Sequence, residues 1–244
     1  MMIKTAEATW PEIQVALQKG CIAILPVGAH EQHGPHCALS TDTVICSGLA
    51  ARLAEALDAL LLPAIPYGET WNTEGFAGTL SLTFDTVRSI VLDLGKGLKR
   101  QNVRALVVVN GHFGNHMPIE LACRSLTEEF GLPSIQIDFP GLERISSEVC
   151  ESKPAAPSFY HADEFETSLM LHLLPQGVQM DKAQPEYPVF PPTFDVEPMR
   201  LDRFNKSGVF GDPRPATAAK GELLLKKLTE ESLGIIEKFL ATLS

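Results

Sequence analysis

Several features are missing from this chain of 244 residues, and each absence narrows what it is. There is no stripe of lysine and arginine. Acidic residues outnumber basic ones 30 to 20, for a net charge of −10, which argues against nucleic acid as a partner. The five cysteines, Cys21, Cys37, Cys46, Cys123 and Cys150, are irregularly spaced with no C-x-x-C pair. They read as reduced thiols rather than a disulfide framework, and Cys37 as a small buried filler. No basic leader followed by an apolar run opens the sequence, and no apolar run approaches the length of a membrane span. A cytoplasmic protein with no membrane partner is expected. Internal repeats and low-complexity tracts are also absent.

What is present is an ordinary globular composition, 45% hydrophobic and 20% charged, with ample length for one α/β domain over residues 1–244. The chain is organised around Pro26–Asp42, PVGAHEQHGPHCALSTD. An aliphatic, β-branched run over 21–29 has the length of a buried strand and leads straight into three histidines, a glutamate and an aspartate. Glu31 and His33 are two apart, so in extended chain both leave the same face. Gly34 and Pro35 turn the chain, and Asp42 can return to meet them. Carboxylates and imidazole converging at a strand end make a divalent-metal site. The plainer alternative is a surface loop whose Ser40-Thr41-Asp42 caps the next helix.

The remaining pattern predicts helices over 5–19, 43–57, 84–100 (capped by Thr83), 117–130, 141–151 and 216–240. Strands are predicted over 60–66, 103–109 and 134–139, with a long glycine- and threonine-rich loop at 67–82. This alternation points to a parallel sheet covered on both faces. Residues 153–158 form a link. Residues 184–215, with Pro185, Pro188, Pro191, Pro192, Pro198, Pro213 and Pro215, read as an extended flap. Tyr187, Phe190, Phe194, Phe204 and Phe210 can anchor it.

Two more polar clusters follow strands or precede helices. Asn110-Gly-His-Phe-Gly-Asn-His116 ends the strongest strand, where a tight turn can aim His112 across the sheet edge. It can equally be a plain glycine–asparagine turn, and its spacing fits neither the dinucleotide nor the P-loop pattern. In His161-Ala-Asp-Glu-Phe-Glu-Thr-Ser168, Glu164 and Glu166 lie about 200° apart on a helix, so only one readily faces a site. Either carboxylate can simply favour the helix N-terminus. Together the three clusters supply nearly what two divalent ions need.

These residues resemble the creatininase (creatinine amidohydrolase) family. The match lies in EQHGPHxxLSTD at 31–42, NGHxGN at 110–115, HAxExETS at 161–168 and GVFGDPxxATAxKG at 208–221, in order along nearly the whole chain. The resemblance implies a three-layer α/β/α fold with a mostly parallel sheet and a metal site at the C-terminal edge of its strands. It further implies two divalent ions (Zn, Mn or Fe), hydrolysis of C–N bonds in small cyclic amides or formamides, and homo-oligomers, often hexamers. Carried onto this chain, Glu31 and His112 hold one metal, His33 the other, and Asp42 bridges them. His161 is the catalytic histidine, and Phe113, Gly114 and Tyr160 fall beside the substrate. Creatinine-hydrolysing members place a carboxylate where this chain has Gly114 and an acid where it has Tyr160. The resemblance is therefore to the glycine-type branches, which include a flavin-pathway deformylase and a maturase of a peptide-derived cofactor. There Glu166, or else Glu164, completes the second metal. A catalytically silent metal-binding member of the same fold, and an α/β protein binding nucleotide through the 110–116 turn, are the competing readings.

Overall fold

A computed structural model describes residues 2–194 and 196–243. Five parallel strands form one sheet in the order β1-β3-β2-β4-β5. They are β1 (Ile3–Lys4), β2 (Ala23–Val27), β3 (Leu60–Leu61), β4 (Leu106–Asn110) and β5 (Ser134–Ile137). Every residue of β2 and β4 is buried, as central strands of a doubly covered parallel sheet require.

Their alternation sorts the core into two layers. Ile24, Val107 and Val109 face α2 (Thr41–Ala56), α5 (Leu142–Val149), α6 (Glu164–Leu173) and α7 (Ala218–Ala241), through Leu49, Ile145, Phe165 and Leu224. Leu25, Val27, Leu106 and Val108 face α1 (Trp10–Gln18), α3 (Phe84–Arg100) and α4 (His116–Glu128), through Ala16, Val91 and Leu126. The fold is thus α/β/α. Truncating one of these fully buried leucines to alanine costs about 2–5 kcal/mol.

Differences from the expected elements have local causes. The predicted first helix begins only at Trp10, where Glu12 reaches back to the Thr9 amide at 2.7 Å and Pro11 occupies the first turn. The residues before it include edge strand β1. The expected strand at 60–66 pairs regularly for only two residues, because Pro63 and Pro66 supply no amide donors, and Ile65 keeps a single bridge to Val27. The helix after Thr83 starts as expected, with the Thr83 hydroxyl accepting from the Thr86 amide at 3.2 Å.

The proline-rich segment, expected to be extended, instead runs through turns and a short 3-10 helix at Leu201–Arg203 among its described residues, and it is tied down by its aromatics. Phe190, Phe194, Phe204 and Phe210 pack edge-on or stacked around one another, and three of them around Phe159, at 4.0–6.1 Å between ring centroids. Tyr187 is half-exposed, and its hydroxyl donates to the Lys153 carbonyl at 3.0 Å. Bridges from Phe210 to His161 and from Gly211 to Glu186 hold its return leg.

Candidate metal centre

The C-terminal ends of β2 and β4 point the same way, and the loops leaving them carry Glu31, His33 and His112. Asp42 lies in the first turn of α2. Ser40, its N-cap, makes no side-chain cap bond, so the polar run there is not a capping device. Gly111 lets the two loops meet, since a Cβ there would lie 2.3 Å from the Asp42 carbonyl oxygen. His161 and Glu166 arrive from the start of α6. Ala162 between them adopts φ +52°, which turns its amide onto Glu166 Oε2 at 2.6 Å.

These six ionisable side chains are at most 8% exposed. Buried charge on that scale requires partners. His112 Nδ1 lies 2.8 Å from Glu31 Oε2 and 3.3 Å from Asp42 Oδ2. His33 Nε2 lies 3.0 Å from Asp42 Oδ1 and 3.5 Å from Glu166 Oε2. Two groups of three donors result, Glu31–Asp42–His112 and His33–Asp42–Glu166, sharing Asp42 through one oxygen each. Glu31, His33 and His161 form a third.

The far sides of the ligand rings are already bonded. His112 Nε2 is 2.7 Å from the Glu69 carbonyl and His33 Nδ1 is 3.1 Å from the Glu31 carbonyl. A carbonyl only accepts, so those nitrogens carry hydrogens and the others turn their lone pairs inward when the rings are neutral. Glu31 Oε2, His33 Nε2 and Asp42 Oδ2 are buried within ion-pair distance of neighbours yet lack an aligned hydrogen bond. They aim at shared space rather than at each other.

The charge balance agrees. Burial opposes protonation of His33 and His112, but Asp42 with Glu166, and Glu31 with Asp42, raise both imidazoles well above their ordinary value. Burial would raise Glu31 and Asp42, and the histidines outweigh it and hold both carboxyls low. These carboxylates call for cations, and divalent ions satisfy mixed N/O donors without protons. Zinc, manganese and iron(II) all fit.

His161 differs from His33 and His112. Burial, and then the charge of His33, lowers its pKa, so its ring is neutral at rest. Gln32 sets its tautomer. The Gln32 oxygen accepts from the Gly34 amide at 2.9 Å while its nitrogen donates to the Gly208 carbonyl at 3.2 Å. That fixes the amide's orientation, so the 2.7 Å contact to His161 Nε2 is a donation and the ring proton sits on Nδ1. His36 points away to the Thr167 hydroxyl at 2.8 Å, and burial pulls it down to about 4.

Other candidates separate. Glu164 faces Lys220 and accepts from the amides of Glu151 and Ser152 at 2.6–3.0 Å, away from the cluster. Gly114 has no room for any side chain, since a Cβ would lie 2.1 Å from the Glu69 carbonyl oxygen and 2.7 Å from His112 Nε2. Phe113 and Tyr160 line the cavity over the cluster, Phe113 being 87% exposed. Cys37 contacts Thr167 and burial pushes its thiol up to about 11, which leaves it inert. Gln32, Glu69 and Thr73, whose hydroxyl donates to Glu31, were not singled out in the sequence. Gln32 lay inside the first motif, but its partner is 129 residues away.

Comparison with known proteins places this site in context. The family model for creatininase, creatinine amidohydrolase, matches residues 6–236. Creatinine amidohydrolase of Pseudomonas putida is 32% identical over 235 residues, 90% of each chain. The mycofactocin precursor peptide peptidase of Mycolicibacterium smegmatis is 31% identical, covering 85% of this chain and 81% of that one. A mutant creatininase structure described as Zn-Zn type superposes with a TM-score of 0.85 at 30% identity, covering 98% of this chain and 99% of its own. With its fold, its buried donor set and these matches in agreement, the chain belongs to the creatininase family.

Proposed function

We propose that this chain is a hydrolase of non-peptide carbon–nitrogen bonds that cleaves a cyclic amide or formamide at a two-metal centre. The observation that supports it is the sharing of Asp42 between two buried three-donor groups. Glu31 and His112 would hold one ion, His33 and Glu166 the other, with Asp42 between them. When bound, such ions bring water to hydroxide near neutral pH and polarise the amide carbonyl.

The chain's own residues do the rest. The Glu69 and Glu31 carbonyls fix the ligand rings, and Thr73 steadies Glu31. Neutral His161 takes up the proton released when water attacks and returns it to the leaving nitrogen. Its basic nitrogen is Nε2, so the Gln32 bond gives way as the proton arrives and re-forms as it leaves. On this reading His161 acts as base before it serves as the acid expected from the sequence. Phe113 and Tyr160 border the space left for substrate, whereas Gly114, expected beside them, packs behind His112 against the Glu69 carbonyl; the homo-oligomer implied by the family belongs to the same proposal.

Elemental analysis of the purified protein, paired with a panel of cyclic amides and formamides, tests this. About two divalent ions per chain and metal-dependent turnover are expected. Bound metal with no turnover on any amide would favour the catalytically silent reading.

A further inference from the structure

The cavity above the cluster has a volume of about 280 Å³, and its floor and walls differ sharply. Glu31, Asp42, His112, His161 and Glu166 form the floor. Phe139, Leu142, Phe159, Phe165, Phe194 and Leu201 supply the apolar wall. No lysine or arginine is found among the described residues that line it, whereas Asp138 adds a further carboxylate.

That wall is braced. Phe159 meets Phe194 edge-on at 5.9 Å and Phe210 at 5.2 Å, while Phe190 stacks on Phe194 at 4.0 Å. Phe210 in turn meets the His161 ring at 5.7 Å. Phe139 and Ser158, both on the rim, hold φ of +44° and +57°, which non-glycine residues adopt only when their surroundings impose it. A preformed aromatic wall recognises flat apolar groups, which pack edge-on or offset against it. An apolar cavity of about 150 Å³ takes up benzene, so this one has room for one ring beside a scissile amide. A phosphate or carboxylate at the ring position would meet apolar walls and Asp138, with no lysine or arginine side chain among the lining residues to pair it.

From this we infer that the substrate is an uncharged amide or formamide carrying one flat apolar ring, held against the wall that Phe159 and Phe194 form together while its carbonyl reaches the cluster. The ring site stands on the cavity itself; its role in substrate choice rests on the amidohydrolase reading.

Binding tests the two separately. Hydroxamates chelate two-metal centres without being hydrolysed, so calorimetry on the metal-loaded protein compares acetohydroxamate with phenylacetohydroxamate. The phenyl compound is expected to bind at least about tenfold tighter, as for burial of one aromatic ring. Phe159→Leu, which keeps apolar bulk but removes the flat face, and Phe194→Ala should bring the ratio toward unity. The phosphate ester of 4-hydroxyphenylacetohydroxamate should bind more weakly than the free phenol. Equal binding of the phenyl and methyl compounds, or tighter binding of the phosphate ester, overturns the inference. A clear phenyl preference without turnover of any aryl formamide, N-benzylformamide included, supports the ring site and overturns the amidohydrolase reading instead.

Discussion

His112 Nε2 lies 2.7 Å from the main-chain oxygen of Glu69, 43 residues earlier, across the bare Cα of Gly114. The glycine is therefore a packing requirement. Gly114→Ala should push the Glu69 loop off His112 and weaken the metal held there by about 10- to 100-fold, the usual effect of losing an outer-shell partner. Chelator competition against wild type measures it, and unchanged affinity would show that the Glu69 contact does not orient the ring.

Asp42→Ala should remove both ions, since each donor group uses one of its oxygens. Glu31→Gln should lower occupancy at one position. Elemental analysis per chain decides; a full pair of ions on the Asp42 variant would disprove the bridge.

The two acids of the third motif should behave oppositely. Glu166→Gln should weaken the site shared with His33 and leave the Glu31–His112 site filled. Glu164→Gln should keep both ions but lower stability by about 1–3 kcal/mol, as for loss of charged hydrogen bonds to a buried group. Metal content and denaturant midpoints read the two effects independently.

His161→Ala should retain metal and lose turnover by about 10²- to 10⁴-fold. Gln32→Leu should lose part of that rate. Because Gln32 acts through His161, the double variant should be no slower than His161→Ala alone. Additive losses would mean that Gln32 serves the reaction by another route.

Much of this architecture could be read from local pattern. The runs around β2 and β4 are long, aliphatic and bounded by turn residues, and the polar motifs sit at their ends. Strand β1 could not be read, because two residues carry no periodicity and its only partner is β3; β3 was expected, but over 60–66 rather than the two residues that pair regularly. Helical spacing limited the third motif to one inward carboxylate and the motif favoured Glu166, but that Glu164 turns instead to Lys220, 56 residues away, could not be read locally. Glu69, Thr73 and Gln32 stayed hidden for the same reason, since each acts across tens of residues on a partner brought near by the fold.

The proline-rich segment covers the cavity with Phe194 and, a few residues on, lends the Gly208 carbonyl to Gln32. One stretch of chain thus supplies part of the cavity wall and part of the support for the amide that faces His161. A change in that stretch would therefore reach both the cavity wall and one of the two bonds that orient the Gln32 amide.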